Sequence, residues 1–354
     1  MKKNIAIVAG GYSSEFEVSL RSAENLYAFI DKEKYNAYIV VLKKDAWKAI
    51  NNYELRITNY ETGEIGEAGE AGTFLINKSD FSFRKGNNTV NFDFAYITIH
   101  GTPGEDGLLQ GYFDMIGMPY STCDVLTSAL TFNKYMCNQF LKSQGICVSD
   151  SILIRKGHSV CPDQIVEKLG LPVFVKPNNS GSSFGVSKVK ETAQIQVAVE
   201  KAFHESSEVL IERFISGNEF TCGCYQSKNE IIVFPVTEII PKNDFFDYGA
   251  KYKGEVEEIT PARISVELTE KIQRETEKIY QLIGAKGIIR IDYIVSLNKI
   301  PVLLEVNTTP GMTATSFIPQ QVQAAGLSMQ AVMTEIIEGT SYNPIGYGVL
   351  DTSR

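Results

Sequence analysis

GIIRIDYIVSLNKIPVLLEVNTTPG, residues 287–311, alternates apolar and polar side chains on both sides of Asn298 and Lys299. Two such runs joined by a polar pair predict a β-hairpin. With a two-residue turn at Asn298 and Lys299, Asp292 faces Glu305 and Arg290 faces Asn307, all four on one side of the ribbon. The other side carries Ile291, Tyr293, Val295, Val302, Leu304 and Val306, as a core-facing surface should. The polar side also holds Ile288, Ile294 and Leu303, so its acids sit among apolar neighbours rather than in a solvated array. Two carboxylates about 5 Å apart repel by roughly 3 kcal/mol at an effective dielectric near 20. A positive charge is therefore expected between them. Asp, Glu and Asn supply hard oxygen donors, and a few such groups with substrate phosphates are how magnesium is usually held in nucleotide sites. The hairpin predicts a magnesium–nucleotide site.

KPNNSGSSFGVSKV, residues 176–189, has the lysine, glycines and serines of a phosphate cradle in the wrong order for a P-loop, which needs its lysine after the glycines and a helix next. LPVFVK precedes it and GVSKVK follows, both strand-like, so it reads as a hairpin with a flexible tip. The backbone N–H groups of such a tip can close over phosphates, with Lys176 adding a point charge.

Three further stretches carry compatible residues. GGYSSEFEVSL places Glu15 at the start of a helix after a strand, where an acid is also favoured by the helix dipole alone. HGTPGEDG follows the strand FDFAYITI, and a glycine-rich turn at the C-terminal end of a strand is where α/β sheets bind ligands; His100 opens it. PKNDFFDYGAKYKGEVEEITP, residues 241–261, lacks clear periodicity and has the length of an active-site lid, with Lys251 and Tyr252 in its middle.

At 354 residues the chain exceeds one core, and 44% hydrophobic with 21% charged residues is ordinary globular composition. A net charge of -8 argues against nucleic acid as a partner. The apolar run after Met1 stops at Gly10-Gly11, too soon for a signal peptide, and no segment reaches the length of a membrane span. Cys123, Cys137, Cys147, Cys161, Cys222 and Cys224 form no metal-type pairs and are expected as reduced core or filler residues of a cytoplasmic protein. Three units are expected: an α/β unit over 1–122, a small α+β unit over 123–214 carrying the flap, and a mainly antiparallel unit over 215–354 carrying the acid hairpin and the lid. ETGEIGEAGEAG reads as an exposed acidic loop.

In this order the pieces resemble the D-alanine:D-alanine ligases of the ATP-grasp superfamily over nearly the whole chain. HGTPGEDG and EVNTTPGMT are the specific signals; the serine-rich loop and the Glu15 segment support them. The resemblance implies a three-domain ATP-grasp architecture with a Rossmann-like first domain, ATP between the second and third, and cytoplasmic synthesis of D-alanyl-D-alanine for peptidoglycan. It implies two magnesium ions, replaceable by manganese, on Asp292, Glu305 and Asn307. Lys134, Lys176, Ser182 and Ser183 would hold phosphates, with Lys251 also near ATP; Glu212 and Ile215 would read adenine, and Glu219 the ribose. Glu15 would hold the first alanine's ammonium in a latch with Ser182 and Tyr252, and His100 would lie beside it. Ser316 and Lys251 would bind the second alanine's carboxylate, and Arg290 with the Gly311 N–H would stabilise the oxyanion. A homodimer is the expected assembly. The chain departs from the family at Phe16, Asn133, Asn179, Ser180, Tyr293 and Phe317. Rival readings are a D-alanyl-D-lactate or D-alanyl-D-serine ligase, disfavoured by Tyr252, and a non-catalytic ATP-binding regulator, disfavoured by Arg290 and the full acid set.

Overall fold

The unbroken apolar run at residues 5–9 predicts a strand covered on both faces. It forms the centre of the first sheet. The computed structural model describes residues 2–50, 57–59, 64–65, 72–179, 185–228, 230–241, 256–296 and 298–339. In its first part β1 (Lys3–Gly10) leads into α1 (Phe16–Phe29), followed by β2 (Tyr35–Leu42), β3 (Trp47–Ile50) and a two-stranded ribbon of β4 (Ile57–Asn59) and β5 (Glu64–Ile65). Then come β6 (Thr73–Asn77), β7 (Ser82–Lys85), β8 (Asn88–Val90), β9 (Phe94–Ile97) and α2 (Leu108–Ile116). The strand order is β8-β7-β6-β3-β2-β1-β9, with β2, β1 and β9 parallel. Ile5, Ile7 and Ala9 point into one core and Ala6 and Val8 into the other, as the two-residue period requires. The sequence read as an acidic loop contributes Glu64 and Ile65 to β5; its other residues up to 71 lie outside the described residues.

Ser19 fastens α1 to the sheet. Its Oγ donates to Thr98 O at 2.7 Å and accepts the Gly10 N–H at 2.9 Å. Gly10 has φ +92°, and a Cβ there would stand 2.6 Å from Leu42 O, so the turn that ends β1 needs glycine. This turn sets Glu15 at the open N-terminus of α1.

Two capped helices follow: α3 (Val125–Phe132), whose Thr127 N–H is accepted by Asp124, and α4 (Lys134–Ser143), whose Met136 N–H is accepted by Asn133. The second sheet comprises β10 (Ser151–Arg155), β11 (Val173–Pro177), β12 (Ser187–Val189) and β13 (Glu208–Arg213), with α5 (Pro162–Leu169) and α6 (Ile195–Ala202) between them. Its order is β10-β13-β11-β12, antiparallel throughout. β11 and β12 form the expected flap hairpin; its tip, 180–184, lies outside the described residues.

The third sheet is β17-β16-β14-β18-β19, with β15 also on β14. Its strands are β14 (Gly217–Ser227), β15 (Glu230–Val233), β16 (Thr237–Pro241), β17 (Val256–Ile259), β18 (Ile288–Ser296) and β19 (Pro301–Asn307), with α7 (Val266–Leu282) before β18. The stretch EIIVFPVTEII, residues 230–240, is divided between β15 and β16. Pro235, which has no N–H to give to a ladder, sits at the break.

The acid hairpin pairs Asp292 with Glu305 and Arg290 with Asn307 as expected, but by a different route. Lys299 N–H bonds to Ser296 O at 2.9 Å and Lys299 has φ 55°, so the turn is three residues long instead of two. A register shift between Asp292 and Tyr293 absorbs the difference. Consequently Leu303 pairs with Tyr293 and enters the core, while Leu304, assigned to the core from alternation, is only half-buried. Val302, also assigned there, pairs with Ile294 on the opposite side. Leu303 N–H further bonds to Cys147 O at 2.9 Å, which ties β19 to the segment entering the second sheet.

Of the cysteines, Cys123, Cys137, Cys222 and Cys224 are buried, whereas Cys147 and Cys161 are exposed and so are not core residues; none is in a disulfide. The chain ends by returning to the first sheet: α8 (Phe317–Ala324) and α9 (Met329–Gly339) share a core with β1 and α1 through Ile318, Val322, Val332 and Met333. Among the described residues no helix is long and apolar enough to cross a membrane.

Gly287 marks the seam between the first sheet and β18. It has φ +64°, and a Cβ there would lie 1.8 Å from Ser121 O, a backbone atom that cannot swing aside. Gly287→Ala is expected to destabilise the protein by about 2–4 kcal/mol, read as a lowered urea midpoint. An unchanged midpoint would contradict this packing.

Candidate active site

The C-terminal ends of β1 and β9, the start of α1, and the chain after β19 enclose a cleft of ≈ 820 Å³. Its walls bring together seven of the residues expected from the sequence: Glu15, His100, Arg290, Glu305, Asn307, Gly311 and Ser316. They are spread over three hundred positions. What joins them is the contact of α1 with the turn after β19: Asn25 Nδ2 donates to Met312 O at 2.7 Å, and Met312 N–H donates to Ser22 Oγ at 3.2 Å. Ser316 stands at the N-cap position of α8 without a side-chain bond to the helix; its Oγ accepts the Thr313 N–H at 3.1 Å. Asn25, Ser22 and Met312 carried no sequence signal of this role.

Arg290 and Asp292 stand two apart on β18 and point to the same side. Arg290 Nε donates to Asp292 Oδ1 at 2.9 Å and Nη2 to Oδ2 at 2.7 Å, a bidentate pair with both residues buried. Thr221 Oγ1 donates to Oδ1 at 2.5 Å from β14, and Asn307 Nδ2 to Oδ2 at 3.1 Å from β19. Four donors thus occupy a carboxylate that has about four acceptor sites. Burial alone would lower the Arg290 ionisation, but the Asp292 carboxylate outweighs it and holds the guanidinium firmly protonated. Two of its five N–H groups serve Asp292, and the guanidinium also borders the cleft. The Phe317 ring lies 5.4 Å from its central carbon, within cation–π range, so one of the departures from the family supports the arginine.

Glu305 pairs with Lys134 Nζ at 3.3 Å. The positive charge expected between the two carboxylates is therefore supplied by the protein, Arg290 at Asp292 and Lys134 at Glu305. Repulsion between the acids does not by itself require a metal. Among the described residues no group of three or more His, Cys, Asp and Glu side chains is placed to hold an ion.

Lys176 and Glu212 form a second buried pair, Nζ to Oε2 at 2.6 Å, on β11 and β13, and Asn138 Nδ2 donates to Glu212 Oε1 at 3.3 Å. With Ile215 in the link to β14 and Glu219 on β14, these residues stand apart from the walls of the first cleft. Ser182, Ser183, Lys251 and Tyr252 lie outside the described residues.

The motif HGTPGEDG contains a cleft residue that His100 overshadowed. Glu105 lines the cleft, and its carboxyl is pushed up to about 8, first by burial and then by the neighbouring Glu15 carboxylate. An acid inside a glycine turn at a strand end was the available signal. Thr221 was not singled out, because a threonine in a strand looks like any other. Two further departures are structural: Asn133 caps α4 as an aspartate would, and the buried Tyr293 hydroxyl meets Thr276 Oγ1 at 2.9 Å.

An antiparallel sheet with a flap hairpin, a second sheet carrying paired acids, and a parallel sheet closing the cleft define an ATP-grasp enzyme. Residues 4–123 match the family model of the D-ala D-ala ligase N-terminus and residues 140–338 that of the D-ala D-ala ligase C-terminus. The chain belongs to the D-alanine–D-alanine ligase family. A D-alanine–D-alanine ligase of Parabacteroides distasonis is 60% identical over 338 residues, covering 96% of this chain and 97% of its own. Among solved structures, the VanG D-Ala:D-Ser ligase of Enterococcus faecalis has a TM-score of 0.85 at 31% identity, over 96% of this chain and 100% of that one. The D-alanine–D-alanine ligase of Bacillus anthracis in complex with ATP has a TM-score of 0.71 at 27% identity, over 96% and 97%.

Removing one partner of a buried pair leaves the other charge uncompensated. Arg290→Ala is expected to cost about 3–5 kcal/mol in stability. Arg290→Lys, which keeps the charge but loses the two-bond geometry, should cost less. Urea midpoints that did not move in either variant would contradict the pair.

Proposed function

We propose that this chain joins two D-alanine molecules into D-alanyl-D-alanine at the expense of ATP, forming ADP and phosphate for peptidoglycan synthesis. The observation that carries the reading is the cleft itself, where an anion and a fixed cation face one another: Glu15 on the α1 side and Arg290, pinned by Asp292, on the β18 side. A zwitterionic amino acid fits between them. Its ammonium goes to Glu15, with His100 beside it, and its carboxylate toward Arg290.

The first D-alanine carboxylate attacks the γ-phosphorus, giving an acyl phosphate and ADP. The second D-alanine's amine then attacks the acyl carbon, loses a proton, and phosphate departs with the bridging oxygen. Arg290 and the Gly311 N–H stabilise the tetrahedral oxyanion, a contribution typically worth about 100- to 1,000-fold in rate. Ser316 and Lys251 orient the second carboxylate. By the family resemblance Tyr252 and Ser182, which lie outside the described residues, would join Glu15 in excluding the water that would hydrolyse the acyl phosphate.

The nucleotide lies between the second and third sheets. Lys134, Lys176, Ser182 and Ser183 serve its phosphates with Lys251, while Glu212, Ile215 and Glu219 serve adenine and ribose. Lys176 and Glu212 are already paired and would share their bonds with the nucleotide.

Glu305 and Asn307 fit magnesium, or manganese in its place, because both present hard oxygens at the cleft wall. Asp292 would join them on giving up one of its four donors. Two ions bound there would neutralise charge on the ATP phosphates. The same reading divides the chain at 1–122, 123–214 and 215–354, which separates the three sheets. It sets the reaction in the cytoplasm, where ATP is supplied, and the family resemblance carries a homodimer. The 60% identity to a D-alanine–D-alanine ligase favours D-alanine as the second substrate over D-lactate or D-serine.

Purified protein with ATP and magnesium should release phosphate with D-alanine alone, not with L-alanine, and should gain nothing from added D-lactate. Turnover indifferent to chirality would sink the reading. Glu305→Gln should lower kcat about 100-fold or more without a change in melting temperature, since it removes charge from a half-exposed wall. Full turnover in that variant would remove Glu305 from the metal set.

A further inference from the structure

Of the acids that line the cleft, Glu15 and Glu305 have been given a task; among the others, Glu105 is the one whose neighbours include Glu15. Glu105 lies five residues after His100 in the glycine turn and is fixed by its own loop: its Oε2 accepts the Gly101 N–H at 2.7 Å, and its backbone N–H returns to Gly101 O at 2.8 Å. The loop therefore holds the carboxyl at the cleft wall. The charges that reach it are Glu15, Lys134, Glu305 and Arg290. Both cations are engaged elsewhere, Lys134 with Glu305 at 3.3 Å and Arg290 with Asp292 at 2.7 Å. Among the described residues Glu105 has no ion pair of its own.

We propose that Glu105 is the second carboxylate of the ammonium subsite, so that Glu15 and Glu105 together grip the ammonium group of the first D-alanine. The proposal rests on the functional reading above for its substrate. Burial and the Glu15 charge both disfavour the Glu105 anion. A substrate ammonium entering beside the two acids compensates both at once. The arrangement also selects at this position: a 2-hydroxy acid brings a neutral hydroxyl that does nothing to offset the burial and the Glu15 charge that disfavour the Glu105 anion, so the first site takes an amino acid. Glu105 further turns the substrate, since two acids at the ammonium end drive its carboxylate toward Arg290 and the phosphoryl donor.

Steady-state kinetics on the full chain test this, with first-site and second-site constants for D-alanine separated by fitting velocity over a wide concentration range. Glu105→Gln keeps an oxygen for the Gly101 N–H and loses only the charge. It should raise the first-site constant about tenfold or more, leave the KM for ATP within about twofold, and keep the melting temperature. Glu105→Asp, which restores the charge, should recover most of the loss. A Gln variant with a wild-type first-site constant would overturn the proposal. So would Gln and Asp variants impaired alike, in folding or in kcat, because Glu105 would then serve the loop's architecture. A wild-type chain inactive on D-alanine would instead contradict the functional reading, and the substrate named here with it.

Discussion

The bidentate bond between Arg290 and Asp292 organises the cleft. Both residues are buried on the central hairpin of the third sheet, and an arginine in that position would swing freely without a planar partner. Thr221 from the strand on one side and Asn307 from the strand on the other complete the carboxylate. The pair thus locks three strands to one another and leaves a fixed positive charge at the cleft wall. A cation prepared in advance costs no reorganisation when negative charge develops on a reacting oxygen, and this is why such sites accelerate acyl transfer. Phe317 beneath the guanidinium adds a second restraint from α8.

The opposite wall carries acids and belongs to a different part of the chain. Glu15 and Glu105 stand at the C-terminal ends of β1 and β9, the usual ligand edge of a parallel sheet. Ser19 and Gly10 set the angle of α1, and the Met312 bonds to Ser22 and Asn25 bring the turn after β19 against it. The distance between the cationic and acidic walls is therefore set by packing in the shared core of α1, α8 and α9. On the proposed function, a substrate with opposite charges a few ångströms apart would read that distance.

Most of the fold was legible in the sequence because its signals are local. The apolar run of β1 and the alternation of β18 and β19 are each visible within a few residues. The hairpin shows where local reading stops. Alternation assigned Leu304 to the core, but a register shift put Leu303 there, and the bond from Leu303 to Cys147 that accompanies it comes from a segment more than 150 positions away. The site was legible as residue types and not as partners. Arg290, Asp292, Glu305 and Lys134 were all singled out, yet their pairing with one another was not, since a β-strand places i and i+2 on one side without saying which will bond. Glu105 was passed over because His100 already explained its motif.

The proposed ligation requires an acyl phosphate formed from the first D-alanine. Ligation of D-alanine labelled with ¹⁸O in its carboxylate measures this directly. Transfer of the γ-phosphate to that carboxylate, followed by attack of the second amine, predicts one ¹⁸O in each phosphate released, with ADP as the nucleotide product. Label found in AMP, or phosphate released without label, would contradict it.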